Sequence, residues 1–207
     1  MKPINKYINE KLKISKPKKV EHTLFPKHKY DLVLILREEV SKNGNECDLN
    51  HIDVSKITDM DFLFAEDYNN AYKLHEFDGD ISQWDVSNVK NMYCMFKRSN
   101  FNGDISQWDV SNVEDMRYMF KSSIFNEDIS DWNVSKVKNM SYMFDESKFN
   151  QDISRWDISS VKNMDYMFYG SLFNQDISDW DVSNVESMVG TFTKSKIKDE
   201  YKPQGVQ

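Results

Sequence analysis

Four histidines, two cysteines and a dense series of carboxylates are the side chains through which this sequence could do chemistry. His22, His28, His51 and His75 keep neither the H-E-x-x-H nor the C-x-x-C spacing that lets neighbouring turns close on one metal ion. A looser arrangement would need His51, Asp67 and His75 to meet near an insertion. Cys47 and Cys94 are too few for a disulfide framework and read as free thiols. Neither a phosphate-cradling P-loop nor a dinucleotide fingerprint occurs. Catalysis needs a convergent, asymmetric cluster of unlike groups, whereas the carboxylates here recur at a fixed step. The expectation is a chain that is not an enzyme and uses no cofactor and no metal.

That fixed step organises the sequence. Phe77, Phe101, Phe125, Phe149 and Phe173 stand 24 residues apart. Trp84, Trp108, Trp132, Trp156 and Trp180 keep the same step and account for all 5 tryptophans, and Met92, Met116, Met140, Met164 and Met188 follow. The unit reads F-N-x-D-I-S-x-W-D-V-S-x-V-x-x-M-x-x-M-F-x-x-S-x. A degenerate unit at 48–64 precedes these, offset by 32 rather than 24, so eight extra residues fall within a polar insertion at 65–76. Gly190 and Thr191 replace the Tyr and Met of the preceding unit, so the last unit decays too. Such a unit is too short to bury its own apolar side chains, and stacking each copy on the next builds one core.

The recurring polar residues follow from the same logic. Asp80, Asp104, Asp128, Asp152 and Asp176 form one column, and Asp85, Asp109, Asn133, Asp157 and Asp181 precede a column of serines from Ser87 to Ser183. Asp and Asn before Ser favour turns in which the side chain accepts a nearby backbone N–H. The rival is a calcium ladder, which calls for a glycine-rich nonapeptide, and the chain has 6 glycines. The Trp column could be an exposed stacking ladder, but a large apolar residue repeated between Ile and Val belongs in the core. The Met columns read the same way.

Around the repeat, residues 29–46 hold a capping helix: Leu32, Ile35, Leu36 and Val40 keep helical spacing and Asn43-Gly44 stops it. A short strand over 32–36 is the alternative. Residues 1–28 read as a lysine-rich arm with a short helix at 5–12, 47–193 as six units, and 194–207 as a loose polar tail. A net charge of -7 argues against nucleic acid. The opening lacks a secretory apolar run, and no stretch reaches the ~20 apolar residues of a membrane span. The expectation is therefore no nucleic acid and no membrane insertion.

Comparing units separates scaffold from surface. One variable column runs Tyr93, Arg117, Ser141, Asp165 and Val189; a second runs Lys97, Lys121, Asp145, Tyr169 and Thr193. We expect Tyr93, Arg117, Asp165, Lys97, Lys121, Asp145 and Tyr169 to form a partner-binding surface.

The unit, seen at Phe101, Asp104, Ile105, Ser106, Trp108, Asp109, Val110, Ser111, Val113, Met116, Met119 and Phe120, resembles the repeat of the BspA-type, mycoplasma lipoprotein-associated leucine-rich repeat family over 47–193. The resemblance implies a leucine-rich-repeat-like solenoid of short stacked β-strands with turns and short helical segments. It also implies adhesion or protein binding at a cell surface; for the variable face itself, a glycan is the alternative to a protein partner. The alternative is a structural subunit, of a virion for example, making contacts through residues 1–28; the virion or the cytoplasm would then replace the cell surface.

Overall fold

The computed structural model describes residues 20–66 and 73–204. The short helix expected at 5–12, most of the arm and the middle of the insertion, including Asp67, lie outside them.

Each unit makes one rung, and rungs stack in register. In every regular junction alternate N–H groups donate to the next rung: Met116 to Asn139 O, Tyr118 to Ser141 O, Phe120 to Met143 O and Ser122 to Asp145 O, at 2.7–3.1 Å. The N–H groups between them turn back within the rung, Met119 to Met116 O and Lys121 to Tyr118 O. The expected strand-built, leucine-rich-repeat solenoid does not form. Among the described residues there is neither strand nor sheet, and adjacent rungs share isolated parallel bridges such as Asn91–Asp115 and Asp115–Asn139.

The backbone explains the correction. The second of the two residues between the paired Met positions of each rung has φ near +55°: Phe62, Cys94, Tyr118, Tyr142 and Tyr166, with Gly190 at 65°. Four residues later Arg98, Ser122, Glu146, Gly170 and Lys194 do the same. A β-strand needs strongly negative φ throughout, so two left-handed residues per rung coil the segment. Each such residue costs about 1 kcal/mol when it carries a Cβ. The inter-rung hydrogen bond from the same residue offsets that cost.

Packing inside the coil is aromatic. Phe101, Phe125 and Phe149 stack at 6.3 Å with planes within 4° of parallel, and Phe96, Phe120 and Phe144 stack in a second file at 5.6–5.7 Å. All five tryptophans are buried, as their place between Ile and Val requires. Each indole N–H donates to a carbonyl of the preceding rung, Trp132 to Ile105 O and Trp156 to Ile129 O at 3.1 Å, so no polar atom of the ring is stranded. The regular-unit methionines are buried with them, apart from half-buried Met188.

Turns carry the polar columns as expected. The Oδ1 of Asp104, Asp109 and Asp115 each accepts the N–H two residues on, giving three Asx turns in one rung. A further ladder passes between rungs: Asn126 N–H donates to Asn102 Oδ1, Asn150 to Asn126 and Asn174 to Asn150, each at 2.7 Å.

These turns make stability depend on pH. The Ser111 hydroxyl and N–H hold the Asp109 carboxyl below its usual range; Ser130 and Ser159 do so for Asp128 and Asp157. A depressed folded-state value stabilises above the unfolded range, about pH 4, and that stability is lost as pH falls through the folded values. Asn133 holds the same turn with an amide. Asp109→Asn should therefore cost at most about 1 kcal/mol at pH 7, and the gap from wild type should be smaller at about pH 3, below the unfolded carboxyl range. Urea denaturation of both proteins at the two pH values measures it; a gap that widens in acid refutes the charge argument.

The ends are capped differently. α1 (Lys29–Asn43) buries Leu32, Leu36 and Val40 against the first rung, and Gly44, at φ 88°, returns its N–H to Val40 O, so the helix forms and the strand alternative does not. Residues 20–25 run beside the first rung, with Thr23 N–H on His51 O and Asp53 N–H on Leu24 O. At the other end the tail is not loose through 203. Ile197 fills the next place in the Phe column, Lys198 N–H meets Asn174 Oδ1, and Tyr201 O accepts Ile177 N–H. An Ile at the right interval suffices to continue the core without the rest of the motif.

Candidate partner-binding face

The left-handed turn between the two Met swings its side chain out of the core, and in three successive rungs that side chain is tyrosine. Tyr118 and Tyr142 stack at 4.6 Å and 5°, Tyr142 and Tyr166 at 4.9 Å and 17°. Cys94 takes this place one rung earlier and is buried, and Tyr93 swings edge-on to Tyr118 at 5.7 Å and to Phe62 at 5.2 Å. Gly190 ends the ladder: a Cβ there would lie 2.6 Å from the Tyr166 ring.

Cations flank the rings. The Arg117 guanidinium sits 5.0 Å from the Tyr93 centroid and is held by two oxygens of Asp115, which push its pKa up. Lys97 stands 6.0 Å from Tyr118, Lys121 5.3 Å from Tyr142, and Lys194 5.1 Å from Tyr169. These separations fall in the cation–π range. Tyr169 meets Tyr166 edge-on at 5.8 Å. The face thus joins Tyr93, Lys97, Arg117, Lys121 and Tyr169 of the residues singled out from sequence, and adds Tyr118, Tyr142 and Tyr166.

Two of the singled-out residues serve the stack instead. Asp145 is 3% exposed; burial pushes its carboxyl above the usual range, and Lys121 is its ion-pair partner. Asp165 spends Oδ1 on the Ser187 hydroxyl at 2.6 Å and on Val189 N–H at 2.7 Å, tying the last rung to the one before. The missed tyrosines recur in sequence, and recurrence alone read as scaffold.

The other chemistry-bearing residues are dispersed. His22 faces Asp53, His28 faces Asp31, and His51 faces Glu39 at 3.5 Å. His75 O accepts Asn100 N–H at 2.8 Å. Cys47 and Cys94 are free thiols. Among the described residues no group of three His, Cys, Asp or Glu side chains is placed to hold a metal ion. Among them, too, no helix is long and apolar enough to cross a membrane.

A file of coiled rungs with an aromatic–cationic face defines a repeat protein whose units are joined by turns. The family model described as Mycoplasma protein of unknown function, DUF285, matches residues 36–147 and 121–202, and the chain belongs to that family. No curated protein and no solved structure matches the chain. The family lends no support to the virion setting or to the leucine-rich-repeat assignment, and both are withdrawn.

Proposed function

We propose that the chain is a non-catalytic recognition module that binds a protein partner through the tyrosine–cation face. The observation that carries this reading is the half-buried ladder of Tyr118, Tyr142 and Tyr166 with Lys97, Arg117 and Lys121 beside it. Aromatic and Arg side chains in such settings are the usual anchors of interfaces. A glycan fits less well, because Tyr118, Tyr142 and Tyr166 already stack on one another, and the faces they share are not free to take a sugar ring. The sequence resemblance to BspA-type surface repeats supports adhesion at a cell surface as the setting.

The test must spare the stack. Lys121 neutralises buried Asp145, and removing it would strand a buried charge. We therefore combine Tyr93→Ser, Arg117→Ala, Tyr142→Ser and Tyr166→Ser. The wild-type chain is used to capture partners from the native source, identified by mass spectrometry, and is applied in parallel to a glycan array. The variant should bind the captured protein at least ~30-fold more weakly, about 2 kcal/mol, with tryptophan fluorescence unchanged. Equal affinity in the folded variant would remove this face from the function. Selective binding to sugars would overturn the protein reading.

A further inference from the structure

The tyrosine–cation face carries its charges in an order that stacking does not require. In its columns the first rung holds Asp61 and Glu66, the second Lys97 and Arg98, and the third Arg117 and Lys121. The fourth holds Asp145 and Glu146, the fifth Asp165 and the sixth Lys194. The signs therefore run acid, base, base, acid, acid, base. Counted from the other end, every rung has the opposite sign.

Some of these charges are already satisfied within the chain. Asp61 pairs with Lys29, Arg117 with Asp115 and Lys121 with Asp145. The outer rungs are freer. Lys97 has no carboxylate partner among the described residues, and Arg98 and Glu66 stand 3.8 Å apart with both side chains nearly half exposed. Glu146 and Lys194 are exposed. The large apolar side chains of the face follow the same order. Phe62 is 41% exposed at the first rung, and Val189 is 58% exposed at the last, where Gly190 ends the column of rings.

We propose that this face pairs with the same face of a second copy, the two stacks lying antiparallel about a two-fold axis between the third and fourth rungs. The inference rests on the face being a protein-binding surface and names that protein as the chain itself. A two-fold contact must be self-complementary, and end-for-end reversal makes this one so. Glu66 of each copy meets Lys194 of the other, and Lys97 faces the rung that holds Asp165. Phe62 meets the ringless place at Gly190, beside Val189. Tyr118 and Tyr142 lie on either side of the axis. A parallel arrangement would instead set like charges together at every rung. The pair uses the face completely, so association stops at two copies.

Sedimentation velocity on the full chain across roughly a hundredfold concentration range tests this by mass action. The mean mass should rise with concentration and level off at twice that of one chain. Lys194→Glu sets like charges against Glu66 at both ends of the pair and should weaken association at least about tenfold. Adding Glu66→Lys should restore it. Both positions are exposed, so the variants should fold, which near-UV circular dichroism verifies. The variant with Tyr93, Arg117, Tyr142 and Tyr166 replaced should be monomeric throughout. A mass that climbs past two copies, or association unchanged in Lys194→Glu and in the fourfold variant, would overturn the pairing. A monomeric wild type would also overturn it, while the recognition reading stands or falls on its own capture assay.

Discussion

Replacing Phe144 with alanine should destabilise the protein by about 3–5 kcal/mol. The ring has no exposed surface and lies between Phe120 and Phe168, 5.7 Å from each, with Phe149 at 4.2 Å and Trp156 at 6.4 Å. Its loss opens a void that touches three rungs together. Neighbouring rungs cannot close over it, because their register is fixed by backbone bonds on either side, from Phe120 N–H to Met143 O and from Phe144 N–H to Met167 O. In a stack whose stability is a sum of rung and nearest-neighbour contributions, such a lesion weakens two junctions. The matched control is Phe192→Ala at the half-buried end, where the ring stacks on Phe168 at 5.9 Å and has Lys202 5.9 Å from its centroid. That change should cost about half as much or less. Denaturant titration followed by tryptophan fluorescence compares them; equal losses at the two sites would mean that the aromatic file does not bear the stack.

The contrast between these sites also shows what could be read from the sequence. The period places Phe144, Trp132 and Met140 in the core without any structure, because an apolar residue kept in every copy has to be shared with the copies above and below. The Asx turns at Asp104 and Asp109 were legible for a chemical reason, since Asp or Asn two residues before a Ser N–H favours that bond. α1 was legible from Leu32, Leu36 and Val40 and from its Asn43-Gly44 stop.

The backbone of the Met–Met–Phe segment was not. Left-handed φ leaves a sequence trace where glycine supplies it, and of the left-handed columns just Gly170 and Gly190 carry that trace. Cys94, Tyr118 and Tyr142 adopt the same conformation under tertiary hydrogen bonding, which outweighs their local preference. An extended reading of that segment therefore led to strands that do not exist. The same hidden turn is what aims the tyrosines outward, so the error in fold and the omission in the binding face have one cause.

Variation between units proved an imperfect guide to exposure. Asp145 differs from Lys121 and Tyr169 in its column yet is buried, because its carboxylate pairs with the lysine of the rung before. Asp165 differs from Arg117 because the last rung, with Ser187 and Val189, needs an acceptor there. At chain ends, and wherever rungs compensate one another, a changed residue can record a local repair rather than a ligand.

If 24 residues make one interchangeable rung, the chain should tolerate loss of a whole rung and fail on loss of half of one. Excising 125–148 joins Ile124 to Phe149 and leaves every remaining Phe, Trp and Met in its column, with Asn150 able to meet Asn102 as Asn126 does now. Excising 125–136 instead joins Ile124 to Val137, removing Phe125 and Trp132 and setting half a rung against whole neighbours. Near-UV circular dichroism and urea denaturation of the two proteins measure the difference. The longer deletion should retain a cooperative transition and ordered tryptophans, and the shorter one should lose both. Cooperative folding of the 12-residue deletion, or collapse of the 24-residue one, would contradict a core built by in-register exchange between rungs.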